Sequence, residues 1–156
     1  MKELFEYRVK LIERLSGAAH EFQGACMAAK DPFEKVDGDW TVHQIAWHTR
    51  DVDKLIYGAR IRQTINEDNP QFKSFDADAW MAEHYNKDES LNRVLDELIV
   101  NIEELCQTLR ELPREAWSRE SSHETIGSGL TSQLWVERDL LHIEEHLLTV
   151  KKAQNS

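Results

Sequence analysis

The chain has 156 residues, 40% of them hydrophobic, and a formal net charge of −10 from 19 basic and 29 acidic side chains. That length fits a single domain, residues 1–156, with room for a buried core. The acidic balance argues against a nucleic-acid binder, because phosphate contacts need clustered Lys and Arg, and no apolar run approaches the ~18 residues of a membrane span.

The first segment, Met1-Lys2-Glu3-Leu4-Phe5-Glu6, reads as a helix with charges inside it and lacks the continuous apolar stretch of a signal peptide. This helix runs from about Lys2 to Ala29, with Phe5, Val9, Ile12, Ser16 and Ala19 in one stripe and Leu15 and Phe22 beside it. Asp31-Pro32 ends it, since proline disfavours helix at the residue before it. Cys26 lies in this helix and Cys106 in a later one. Neither has a CxxC partner, and both read as reduced core residues of a cytoplasmic protein.

The second helix has a clear start. Thr41 is the N-cap, Gln44 completes a capping box, and Trp40 and Ile45 form a hydrophobic staple. The helix continues to about Asn66, before the break at Asp68-Asn69-Pro70. Its apolar stripe is Ile45, Val52, Leu55, Ile56 and Ala59. His48 falls inside that stripe and points inward; His43, five residues earlier and roughly 140° away, points outward with Arg50 and Lys54.

A short third helix covers Asp76 to Tyr85, with Trp80 as its anchor. The fourth starts at a Ser90 cap and runs to about Leu112 on a three-four stripe from Leu91 to Leu109. After Pro113, the segment Arg114 to Leu130 is a connector with no alternating β pattern. Thr131 then caps the last helix, with Leu130 and Trp135 as a second staple. Four long amphipathic helices and a short one predict an all-α four-helix bundle with one additional short helix.

The last helix, Thr131 to Lys152, carries the chemistry. His142 and His146 are four residues apart, so their imidazoles lie one turn apart on one side of it. Gln133, Glu137, Glu144 and Lys151 form a polar stripe expected to face water, and each histidine points roughly 160° away from it. Val136, Leu140, Ile143, Leu147 and Val150 flank the pair on one side; Leu134, Leu141 and Leu148 flank it on the other. Two inward imidazoles must be hydrogen-bonded or ligated. With His48 they make three, and three neutral imidazoles with one open side are the usual set of a catalytic metal site. Asp51 follows His48 by three and Asp139 precedes His142 by three, so either can orient a ring; Glu145 is a weaker candidate by phase. No residue stands out as a general base. His20, His43, His84 and His123 read as surface or connector residues, though the loop of His123 leads into the last helix and can line the mouth of the site. The five tryptophans read as core and staple residues.

Two segments carry a family resemblance: Trp40-Thr41-Val42-His43-Gln44-Ile45-Ala46-Trp47-His48-Thr49-Arg50-Asp51-Val52-Asp53 and Leu141-His142-Ile143-Glu144-Glu145-His146-Leu147. They resemble the capped, tryptophan-led helix start with its inward histidine and the HxxxH helix of the DinB-like metal-binding four-helix bundles, including the YfiT-like branch. Leu112-Pro113-Arg114-Glu115-Ala116-Trp117 and Gly129-Leu130-Thr131 are similar to that family's approach to its last connector and last helix. The resemblance implies a bundle whose consecutive long helices are not simply neighbours in space. It implies a nickel, zinc or iron ion on His48, His142 and His146, and a homodimer. It also implies a thiol transferase or isomerase using a low-molecular-weight thiol such as bacillithiol or mycothiol, or else a hydrolase. One departure is Trp47, where the family often has a small or aliphatic residue; the larger side chain is expected to narrow the site.

The leading reading is therefore a metal-dependent enzyme transferring a low-molecular-weight thiol to a small-molecule electrophile. The alternatives are a hydrolase using metal-activated water, marked by a carboxylate beside the open face, and a dimeric scaffold whose metal only staples the core, with Leu134, Leu141 and Leu148 as dimer contacts.

Overall fold

In the computed structural model, which describes residues 1–155, Thr41 caps its helix as expected. Its Oγ1 accepts from the Gln44 amide while the Gln44 side chain accepts from the Thr41 amide. The helix begun there runs as α2 (Val42–Val52), passes through a π-helical turn (Asp53–Tyr57) and continues as α3 (Gly58–Asn66). α1 (Lys2–Met27) precedes it, and α4 (Ala77–His84), α5 (Leu91–Arg110) and α6 (Ser132–Gln154) follow. α1 packs along α5 and α6, α2 packs on α5, and α3 on α6. α1 and the α2–α3 rod thus face each other across the bundle diagonal. The chain is a four-helix bundle with one short extra helix, and its consecutive long helices are not all neighbours.

The core is continuous and apolar. Leu15, Phe22, Leu98, Ile102, Trp135 and Ile143 are fully buried within it, each contributing about 1.5–3 kcal/mol by leaving water. Both cysteines are buried and unpaired, and burial pushes their thiols up to about 12.

Three features depart from the sequence reading. First, short strands exist. β1 (Lys35–Asp37) pairs antiparallel with β2 (Trp40–Thr41). β3 (Gln71–Phe72) runs parallel to β4 (Glu120–His123), which pairs antiparallel with β5 (Gly127–Thr131). Strands of two to five residues are too short to show alternation. The three-stranded sheet ties the end of α3 to the start of α6.

Second, the π turn inserts one residue into the second long helix. The Gly58 amide donates to the Asp53 carbonyl, five residues back, and a Cβ at Gly58 would sit 2.7 Å from that oxygen. The insertion rotates everything beyond it. Leu55 and Ala59, expected on the apolar stripe, are only half-buried, and Ile61 and Thr64 take the buried positions.

Third, the polar stripe of α6 does not face water. It forms a seam with α1. Arg8 Nε donates to Gln133 (2.8 Å), Tyr7 donates to Glu137, Arg14 grips Glu144 through two contacts at 2.9 and 3.0 Å, and Lys151 lies 3.7 Å from Glu21. Leu141 and Leu148 are the residues in solvent.

Candidate metal centre

His48 reaches the centre from α2, more than a full turn before the π segment; His142 and His146 reach it from one side of α6. The three rings converge. His142 Nε2 is 3.4 Å from His48 Nε2 and 3.0 Å from His146 Nε2, and the three ligand nitrogens all lie within 4.8 Å of one another. They sit at the margin of the core rather than its middle, half-buried between the packed stripe of Val136, Leu140 and Ile143 and the exposed Leu141 and Leu148. The Trp40 ring meets His48 edge-on at 5.5 Å, and the Tyr57 ring lies 5.5 Å from that of His142.

Electrostatics keep the trio neutral. Burial, then the neighbouring imidazoles, push His142 down to about 2. Burial and His48 push His146 down to about 4, and burial lowers His48 against the opposing pull of Asp78 and Asp51. Each ring therefore offers a lone pair at neutral pH with no proton to displace. Three ring nitrogens aimed at one another are a poor arrangement without a cation, because one N–H can donate to one neighbouring lone pair and the third nitrogen is then left without a matched partner. They are a good one with it: two nitrogens each about 2.0–2.1 Å from a tetrahedral ion are about 3.4 Å apart. The donor set fits a divalent ion of the zinc, nickel or iron type.

A cavity of about 370 Å³ opens on His48 and His142, walled by Tyr57, Arg60, Phe75 and His123 among others. No carboxylate lines it among the described residues, although Asp78 and Asp51 act electrostatically on His48 and Asp37 on His146. Trp47, expected to narrow the site, lies away from it. Its indole N–H donates to Glu89 and its ring packs edge-on against Tyr85.

The expected orienting acids do other work. Asp51 accepts from Arg50 Nε (2.8 Å) and from the Trp80 indole (2.9 Å), anchoring α4 to α2. Asp139 is fully buried and faces Asp53 of the π turn; burial, followed by the Asp53 charge, raises its pKa well above the ordinary carboxylate range. Burial pushes Asp53 up to about 6. Burial thus biases both carboxyls toward the protonated form. Neither Asp51 nor Asp139 hydrogen-bonds a ring of the trio among the described residues, and His142 Nδ1 is sealed from solvent without a partner. Glu145 is exposed.

Of the other histidines, His20 and His84 are exposed, as read. His43 is not outward: it is 1% exposed, its Nδ1 lies 2.6 Å from the Tyr85 hydroxyl and its Nε2 2.7 Å from the Glu89 carbonyl. The segment between α4 and α5 folds over that face of α2, which helix phase alone does not reveal. His123 lines the cavity. Its only sequence signal was its place in the loop before α6.

A family model for the DinB superfamily matches residues 3–150, and the chain belongs to that superfamily. Among solved structures the chain is similar to YfiT from Bacillus subtilis, described as a probable metal-dependent hydrolase with an unusual four-helix bundle topology. The TM-score is 0.84 at 21% identity, over 96% of this chain and 87% of that one. Among curated proteins, no sequence matches.

Proposed function

We propose that the chain is a metal-dependent enzyme in which His48, His142 and His146 hold one nickel, zinc or iron ion. We further propose that it transfers a low-molecular-weight thiol of the bacillithiol type to a small electrophile. The observation that carries this reading is the pairing of three converging neutral imidazoles with a cavity that no carboxylate lines among the described residues. A divalent ion on such a set lowers the pKa of a thiol or water bound at its open side. Attack by water on an ester or amide commonly needs a positioned base as well; a thiolate does not. The chain's residues supply three uncharged donors, an apolar wall from Val52, Ile56 and Phe75, and hydrogen-bond donors opposite. In the reaction the S–C bond forms, the electrophile's leaving group departs with its electron pair, and the thiol proton passes to that group or to solvent.

The second reading is hydrolysis, favoured by the likeness to YfiT and its description. Zinc-, nickel- and iron-loaded protein assayed for thiol conjugation beside ester and amide hydrolysis separates the two. Conjugation lost in His142→Ala, with helical content retained, supports the first reading; hydrolysis without conjugation overturns it. We also take the chain to pair with a second copy through the exposed Leu141 and Leu148 of α6. Sedimentation of Leu141→Glu as a monomer and of the parent as a dimer supports that; a monomeric parent refutes it.

A further inference from the structure

Opposite the three imidazoles, the cavity wall carries a positive charge with no ion-pair partner and an N–H with no acceptor among the described residues. His123 ends β4, whose parallel pairing places it beside Phe72. Its Nδ1 accepts the backbone amides of Thr125 (3.1 Å) and Ile126 (3.2 Å). An acceptor of two N–H groups carries no proton, so the proton of the neutral ring is on Nε2. That Nε2–H has no protein partner among the described residues, although the residue is 7% exposed and lines the cavity.

Arg60 lines the same cavity. Its guanidinium lies 5.0 Å from the Trp135 ring centroid and 5.6 Å from that of Phe72, and it donates only to the Lys73 carbonyl at 3.1 Å. Arg138 lies 5.8 Å from the Trp135 ring centroid, and its Nε is sealed without a partner. Neither arginine is ion-paired among the described residues, in a chain whose net charge is −10. Burial, then Arg60 and Arg138, disfavour a charge on His123 against the opposing pull of Glu124, which favours a neutral ring. Two uncompensated guanidiniums and an idle N–H in a half-buried pocket are costly unless an anion completes them.

We propose that this cavity takes a substrate bearing a carboxylate, bound by the Arg60 guanidinium and the His123 Nε2–H, so that its reactive end meets the three-imidazole centre. The inference rests on the reading of that centre given above. Arg138 supports it through the field rather than by contact.

The test uses zinc-loaded protein and two thiols, 3-mercaptopropionate and 2-mercaptoethanol, titrated by calorimetry. The carboxylate-bearing thiol is expected to bind about tenfold tighter, the value of one hydrogen-bonded charge. His123→Asn keeps an acceptor for the Thr125 and Ile126 amides, while its shorter side chain no longer places an N–H at the Nε2 position. Together with Arg60→Met it is expected to erase that preference while zinc content and 2-mercaptoethanol affinity stay unchanged. Nitrogen-15 spectra of labelled histidine are expected to show His123 as the Nε2–H form, with a shift on binding. Equal affinity for the two thiols, or a preference that survives both variants, overturns the proposal. If 2-mercaptoethanol does not bind at all, the thiol reading fails by itself. The carboxylate is then tested with propionate against propanol on metal-free protein: a tenfold preference sustains it, and no preference overturns it.

Discussion

The two flanks of the second long helix bury polar groups in opposite ways. On one flank, Arg50 is held by Glu89 and Asp51, Trp47 donates to Glu89, and both nitrogens of His43 are engaged. On the other, His142 meets His48 and His146 nitrogen to nitrogen, Asp53 and Asp139 are buried with their pKa values raised, and His142 Nδ1, Arg138 Nε and both Asp139 oxygens lack partners. A saturated network rigidifies a fold; an unsaturated one in the same fold marks where something else must bind. The contrast also explains why one buried histidine of α2 is structural and the other is a candidate ligand.

Removing the ligand set should produce the largest difference between the flanks. His142→Ala is expected to drop metal content from about one ion per chain to near none, a loss of 100-fold or more in affinity, while leaving the metal-free melting temperature nearly unchanged. Elemental analysis beside calorimetry reads it, and a full complement of metal in the variant would remove His142 from the site.

The opposite flank should show the reverse. Arg50→Met leaves Glu89 and Asp51 without their partner, and is expected to cost about 3 kcal/mol of stability in denaturant while metal content stays at the parent level. A cost below about 0.5 kcal/mol would mean that the network is slack.

Between the two lies the π turn. Gly58→Ala forces a methyl against the Asp53 carbonyl and is expected to cost about 2 kcal/mol. If the turn also aims Tyr57 and Arg60 at the cavity, metal affinity is retained and substrate affinity falls.

The smallest effect concerns the buried Asp53–Asp139 pair. The folded chain holds protons on Asp53 and Asp139 that the unfolded chain releases above about pH 4. The pair's contribution to stability is therefore complete at low pH and is lost as pH rises through about 6, where Asp53 titrates. Asp139→Asn needs no proton. In metal-free protein it is expected to match the parent at pH 4 and to exceed it by about 1 kcal/mol at pH 8, followed by urea unfolding. A parent whose stability does not fall across that interval contradicts carboxyls held protonated by the fold.

Much of this was legible from residue order. The Thr41, Ser90 and Thr131 caps, the long helices and the inward phase of His48, His142 and His146 follow from hydrogen-bond chemistry and the 3.6-residue period, both local properties. The burial of His43 was not, because Tyr85 and Glu89, 42 and 46 residues on, come to cover it. Nor was the stripe of Gln133, Glu137 and Glu144, whose partners lie on α1 some 125 to 130 positions away. The π turn escaped because one inserted residue leaves the composition of a helix unchanged and alters only its phase.

Local chemistry thus determined which segments became helices and which of their faces turned inward. Tertiary packing decided the rest: that three rings from two distant helices share one point, that their intended orienting acids bind elsewhere, and that His123, at the end of β4, is brought to the cavity beside the two-residue β3. The reason is physical. Helix phase is set by neighbours within a turn, whereas a meeting of side chains depends on how whole elements stack, and no spacing along the chain encodes that alone.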